Sequence, residues 1–411
     1  MSVKSGAVVL VCASMWWPLS ARLATAFIRQ GCQVSAVCPP RHPLRYVTGI
    51  QSVFPYRGLN SIGSLKAAIL AARPTLIVPC DDSVVWQLHE LHARNVDLQS
   101  LIERSLGADA AYPVLRNRAA FLQVAVELGI RVPATRTLTS EEELADWRAD
   151  CPAVLKRDGT WGGSGVAIVH SLPSALAAFR RLSQPISAGA AWKRCLINRD
   201  PVALWSWKQR ESPRITLQEF IQGRPANSMI ACWQGELLGI VSAEVLTSQG
   251  ATGAATVVRL VQNEEMERAA QLLARRFMLS GFHGLDFVLD QKTGAAYLIE
   301  INPRCTQLGH LHLANQGDLA GALSAKLWNQ PIPAAVMDPQ DCLPGETVAF
   351  FPQAIQWNPR SPYLRNGKHD VPWEEPALVI ELLRGAWPER QWLSRIYHRY
   401  RAPSTPEEVN F

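Results

Sequence analysis

Short apolar runs alternate with amphipathic stretches over the first hundred residues. Ala7–Cys12, Gln33–Cys38 and Thr75–Pro79 read as strands buried on both faces of a parallel sheet. Leu19–Gln30, Ser64–Ala72 and Val84–Arg94 carry helical periodicity, and Gly31 is placed to stop the first of them. This alternation predicts an α/β unit with a parallel, doubly wound sheet over residues 1–112. Ligands of such sheets lie beyond the carboxyl ends of the strands, where this chain has Ala13–Pro18 and Cys80–Ser83. Cys12–Pro18 holds no glycine, so the dinucleotide fingerprint is absent. Asp81 and Asp82 have two readings, a cap for the next helix or a contact to a polar substrate. One of the pair is assigned to the cap and the other is left open.

The pattern changes after Pro113. Asn117–Leu128 reads as a helix ending at Gly129, and Ile130–Thr135 as a loop into a short strand. Ser140–Glu143 has the form of a capping box for a further helix. A strand ending at Lys156 then runs into Gly159–Gly165 and out into a second strand. Gly162, Gly163 and Gly165, with Ser164 between them, let backbone N–H groups approach a phosphate, and Lys156 brings a point charge. The loop is not of the Walker type. Residues 183–214 are basic and carry tryptophans, but their charges form no regular stripe. They read as an exposed insertion rather than a nucleic-acid surface.

Ile215–Gly223 reads as a strand and turn, and Met229–Trp233 with Glu236–Val245 as a hairpin about Gln234-Gly235. Met266, Ala269, Ala270, Leu273 and Phe277 stripe one face of a helix over Glu264–Phe277. A second hairpin follows, with strands Leu285–Asp290 and Ala295–Ile301 about the turn Gln291–Gly294. Asp286 lies on its first arm, and Glu300 and Asn302 share a face on the second, with Arg304 just beyond. Two carboxylates and a carboxamide are hard oxygen donors of the kind that hold Mg²⁺ against nucleotide phosphates. His310 and His312, two apart, do not share a helical face and have no evident partners for zinc. A substrate contact stays open for one of them. Residues 331–411 form a Pro- and Trp-rich extension, with a terminal helix expected over Pro388–Tyr400 and no assigned chemistry.

Composition narrows the class. The chain has 411 residues, 48% apolar and 18% charged, with a net charge of +6 and no block of like charge. That fits a soluble protein of two or three domains without a nucleic-acid partner. Its nine cysteines are scattered with no CxxC pair, which argues against a disulfide framework or zinc site and fits a reducing, cytoplasmic setting. No apolar run reaches the ~20 residues of a spanning helix, so no membrane partner is expected. The fourteen tryptophans offer an interface for a homodimer.

Taken in order, these motifs resemble the ATP-grasp superfamily, to which many carboxylate–amine ligases belong. They are Asn117-Arg118, Gly129–Thr135, Pro152–Lys156, Gly159–Gly165, Gln218–Gly223, Asp286, and Glu300-Ile-Asn302-Pro-Arg304. The resemblance covers roughly residues 1–325. It implies an α/β chain in which a Rossmann-like parallel-sheet domain (1–112) precedes an α+β ATP-grasp fold (113–330). Within that fold it implies a lid subdomain over about 113–214 and a metal-binding subdomain over about 215–330. It further implies ATP with Mg²⁺, or Mn²⁺ in its place. Lys156 and Arg118 would touch phosphates, and Gly162, Gly163, Ser164 and Gly165 would close over them. Gln218 would meet the adenine edge, and Glu219 and Ile221 would offer it backbone groups. Asp286, Glu300 and Asn302 match the metal ligands, and Arg304 the arginine that steadies the moving phosphoryl group. Pro225 stands where many members have a ribose-binding glutamate, with Asn227 as a substitute. The implied reaction is activation of a small-molecule carboxylate as an acyl phosphate and its capture by an amine. Capture by a thiol, hydroxyl or other nucleophile, or a nucleotide-binding regulatory role without turnover, are the alternatives.

Overall fold

The computed structural model describes residues 7–144, 152–159, 165–197, 204, 207, 213–250, 253–313, 317–331 and 342–384. Strands β1 (Val8–Cys12), β2 (Gln33–Cys38), β3 (Ile50–Pro55) and β4 (Leu76–Pro79) form a parallel sheet of order β3-β2-β1-β4. β1 is central because Val9, Leu10, Val11 and Cys12 are all buried, Val9 and Val11 toward one face and Leu10 and Cys12 toward the other. The helix Asp82–Arg94 begins directly beyond β4, and Val96–Leu106 packs behind it. β3 and the helix Val96–Leu106 escape the sequence pattern, β3 because its residues are only half-buried at the sheet edge.

A second sheet has four strands, β5 (Thr135–Leu138), β6 (Ala153–Arg157), β7 (Val166–Val169) and β8 (Ile215–Glu219), in the order β5-β8-β6-β7. β8 was expected to open the metal-binding unit. It lies instead inside the lid sheet, because Ile215 and Leu217 alternate into the same core as Ala153, Leu155 and Phe179. The helix Leu172–Ser183 covers that face. The opposite face carries Val154, Lys156 and Gln218.

The largest sheet has seven strands. β9 (Gly223–Trp233), β10 (Glu236–Ser248), β11 (Ala255–Val261), β12 (Gly281–Asp290) and β13 (Ala296–Asn302) are long and antiparallel. The short pair β14 (His312–Leu313) and β15 (Gly317–Asp318) lies apart from it. β16 (Thr347–Ala349) and β17 (Lys368–His369) then extend the large sheet beyond β11, so residues 347–369 are part of the fold rather than an appended tail. One face of the sheet packs on the helix Glu264–Phe277, whose striped residues are all buried, and on Phe121 and Leu122 of the helix Arg118–Glu127. The other face shares its core with the first sheet, through Phe27 against Phe282 at 6.0 Å and 69°. Gly281, at φ +74°, is required there: an added Cβ would collide with the Ser105 carbonyl.

The C-terminal part is clamped to the first helix. Arg22 pairs with Asp370 and donates to the Phe351 carbonyl, and His310 Nε2 lies 2.9 Å from Asp370 Oδ2. Of the two histidines for which a substrate contact stands open, His310 is the one engaged by Asp370. It is buried, and β17 brings that carboxylate beside it. Among the described residues eight cysteines are buried and none forms a disulfide. Among the described residues no helix is long and apolar enough to cross a membrane. The terminal helix expected over Pro388–Tyr400 lies outside the described residues.

Candidate active site

The polar face of the lid sheet and the face of the large sheet bearing Asp286 enclose a cleft of about 1250 Å³, closed at one end by the loops beyond β1 and β4. Strand alternation selects what enters it. Leu285 and Phe287 point into the core, so Asp286 points out, and Ile301 does the same for Glu300 and Asn302. Asp286 and Glu300 are direct cross-strand partners, and a bulge after Asp286 sets this register. Asn227 on β9 lies directly opposite Asp286 on its other side.

The acidic centre is tightly bonded. Asn227 Nδ2 donates to Asp286 Oδ1 at 2.6 Å, and Asn302 Nδ2 to Asp286 Oδ2 at 2.9 Å. Burial and the Glu300 charge push Asp286 up to about 6, against these two amides. Burial would raise Glu300 as well, but Arg118 and Lys156 outweigh it and hold the carboxyl below its usual range. Two carboxylates forced together, one of them losing its charge near neutrality, are what a bound dication relieves. The donors are all oxygen-bearing and fit Mg²⁺, although Asn302 now offers its NH₂ to Asp286 and would turn its amide to ligate through Oδ1.

Cations surround this centre. Arg118 is the first residue of its helix, where Asn117 caps the end through Ala120 N at 3.2 Å. Its guanidinium reaches Asp158 Oδ1 at 2.8 Å and Glu300 Oε1 at 2.9 Å. Lys156 is buried at the end of β6, and burial followed by the Arg118 charge lowers its ammonium to about 8. Arg304 lies 2.9 Å from Asp82 Oδ1 and 3.4 Å from Asn302 Oδ1. Burial opposes its charge, but Asp82 and then Asp81 more than compensate and raise its pKa.

The remaining expected residues are placed as follows. Gln218 lines the cleft and donates to Thr135 Oγ1 at 3.1 Å. Glu219 and Ile221 line the same end, but the Glu219 N–H is already donated to the Ala134 carbonyl at 2.8 Å. Gly165 bonds back to Arg157 N at 2.8 Å, whereas Gly162, Gly163 and Ser164 lie outside the described residues. Asn227, read as the substitute ribose contact, lines the cleft and donates its Nδ2 to Asp286 through the β9–β12 register. Asp158 was missed: the loop was read for its glycines, and the carboxylate two residues after Lys156 went unused. Of the acidic pair, Asp81 is the cap, accepting from Val84 N at 3.0 Å and Ser14 N at 2.6 Å, while Asp82 faces the cleft.

A family model described as an ATP-grasp domain matches residues 202–307. A sequence search of curated proteins finds no match. Solved structures resemble the chain over most of its length. Carboxyaminoimidazole ribonucleotide synthase from asperigillus clavatus, complexed with ATP, is 17% identical with a TM-score of 0.56, covering 83% of this chain and 80% of that one. L-amino acid ligase from Bacillus licheniformis is 14% identical with a TM-score of 0.55, covering 79% and 76%. Biotin carboxylase from Campylobacter jejuni is 15% identical with a TM-score of 0.57, covering 80% and 72%. At such identities these likenesses speak for the fold. The ATP-grasp domain match spans the strands that carry Asp286 and Glu300.

Proposed function

We propose that this protein is an ATP-dependent ligase that activates a small-molecule carboxylate as an acyl phosphate and passes the acyl group to an amine, releasing ADP and phosphate. The observation that carries this reading is the meeting of Asp286, Glu300 and Asn302 with Arg118, Lys156 and Arg304 in one cleft. A carboxylate is a poor electrophile, and phosphorylating it supplies a leaving group. The residues divide the work by charge and position. Lys156, compact and buried, sits where it can meet ATP phosphate oxygens as a point charge. Arg118 is held at the mouth of the glycine loop by Asp158 and brings a second cation to the same phosphates. Arg304, beside Asn302, faces the position of the transferred group and steadies charge developing there. Asp286, Glu300 and Asn302 would hold Mg²⁺, which would supply positive charge to offset that of the phosphates. The enclosing sheets keep water from the acyl phosphate.

The solved structures with this fold include carboxyaminoimidazole ribonucleotide synthase, L-amino acid ligase and biotin carboxylase, and all three names fit ATP-dependent chemistry on a carboxylate or its like. The test is incubation with ATP, Mg²⁺ and a pool of metabolite carboxylates and amines. ADP release and a condensation product by mass spectrometry are expected. Tight nucleotide binding with no ADP released across the pool would overturn the reading in favour of a binding protein.

A further inference from the structure

We propose that Asp82 is the anchoring site for the ammonium group of the amine substrate, and that this amine carries an apolar or aromatic body. The inference rests on the ligase reading above and names the class of its nucleophile.

The adjacent carboxylates Asp81 and Asp82 have opposite fates. Asp81 is 5% exposed and fully committed, accepting from Ser14 N, from Ser14 Oγ at 2.7 Å and from Val84 N. The Asp82 side chain is 37% exposed, lines the cleft and has Arg304 as its ion-pair partner. Arg304 is otherwise held loosely, with contacts of 3.4 Å to the Cys305 carbonyl and to Asn302 Oδ1. It thus lies between the metal-ligand end of the cleft and Asp82. In the ligase reaction Arg304 is drawn to phosphoryl oxygens, with which a guanidinium makes stronger, two-point contacts. Asp82 then loses its cation and faces the cleft as an unpaired carboxylate, open to an incoming cation. An incoming ammonium restores the pair, and does so within one side chain of the acyl group that Arg304 steadies. A thiol or hydroxyl nucleophile brings no such charge.

The walls beside Asp82 describe the rest of the substrate. Val85 and Trp86 lie three and four positions further along the same helix, on the Asp82 face. Met15 and Trp17 reach the cleft from the loop beyond β1, the strand paired with β4. These four side chains favour an apolar or aromatic body. In the amide-forming step the amine nitrogen bonds to the acyl carbon and the carbon–oxygen bond to phosphate breaks. Of the two protons lost by the ammonium, one leaves on HPO₄²⁻ and the other passes to solvent.

Hydroxylamine separates this inference from the reading it rests on, because it traps acyl phosphates and is largely uncharged at neutral pH. Wild type, Asp82→Asn and Asp82→Glu are assayed with ATP, Mg²⁺ and a carboxylate pool. The nucleophile is hydroxylamine in one arm, and leucine, phenylalanine, glycine or β-phenylethylamine in the other. In Asp82→Asn the KM for the amine that wild type uses should rise at least tenfold more than the KM for hydroxylamine, with partial recovery in Asp82→Glu. Equal losses in both arms would reduce Asp82 to a holder of Arg304 and overturn the proposal. Hydroxamate formation with no use of any amine in the panel would overturn it as well. Failure of wild type to form hydroxamate with any carboxylate would bring down the ligase reading itself.

Discussion

Arg118 and Glu300 are joined by a 2.9 Å ion pair that spans 182 positions of sequence, while the other nitrogen of the same guanidinium holds Asp158 at 2.8 Å. One side chain therefore ties Asp158, just after the strand β6, to the acidic centre on the large sheet. Arg118→Met would leave Asp158, whose side chain is 12% exposed, without its cation. Breaking such a pair costs about 3–5 kcal/mol when buried. A lowered urea midpoint and at least a tenfold rise in the dissociation constant for ATP are expected. Unchanged values of both would show that Arg118 neither holds the loop nor meets phosphate.

Glu300→Ala removes one of the two facing carboxylates and leaves Asp286 with its amide donors. Phosphate release should fall by orders of magnitude while the circular dichroism spectrum stays close to wild type. Retained turnover would sink the metal assignment. Asp286→Asn gives a complementary result, since it keeps the shape and removes the charge that binds the dication.

The Arg22–Asp370–His310 cluster ties the first helix to the C-terminal strands. Asp370→Ala strands the Arg22 charge, whose side chain is 6% exposed. The loss should be about 3–5 kcal/mol, read as a lower urea midpoint. Arg22→Met combined with Asp370→Leu should recover much of it, because the unpaired charge is gone. A double variant no better than the single one would contradict this account.

Acid should destabilise the protein through its buried histidines from about pH 6.5 downward. Burial lowers His42 and His89 to about 3 and His283 to about 4. Unfolded histidine takes up a proton near 6.5, so below that pH the unfolded state binds more protons and stability falls as the pH drops. The contribution is complete above about 6.5 and is lost at roughly 1.4 kcal/mol per pH unit for each histidine toward its folded value. Asp286, raised to about 6, and Asp81, also raised by burial, act with the opposite sign at lower pH. They blunt the slope without reversing it. Urea midpoints measured between pH 7.5 and 5 should decrease steadily, and a flat profile would refute the buried, neutral state of these rings.

Much of this protein is legible in one dimension. The helix Glu264–Phe277, the strand Gln33–Cys38 and the hairpin bearing Asp286 and Glu300 follow from periodicity and turn chemistry, because each reports local geometry and one buried face. The order of motifs pointed to the ATP-grasp domain that the family model matches over residues 202–307, and strand alternation alone put Glu300 and Asn302 on one side. Contacts between distant segments are not local. That β8 enters the lid sheet, that β16 and β17 complete the large sheet, and that Asp370 engages Arg22 depend on which edges and faces meet after collapse. Asn227 shows the difference within a single residue: its type suggested a ribose contact, and cross-strand register gave its amide to Asp286. Asp81 and Asp82 show it between neighbours. Both suit a helix start by composition, but only the packing of the β1 loop against β4, and of Arg304 against the first helix turn, decided which one caps and which one faces the cleft. A sequence sets what each segment can be; the three-dimensional register of those segments sets which polar group finds which partner.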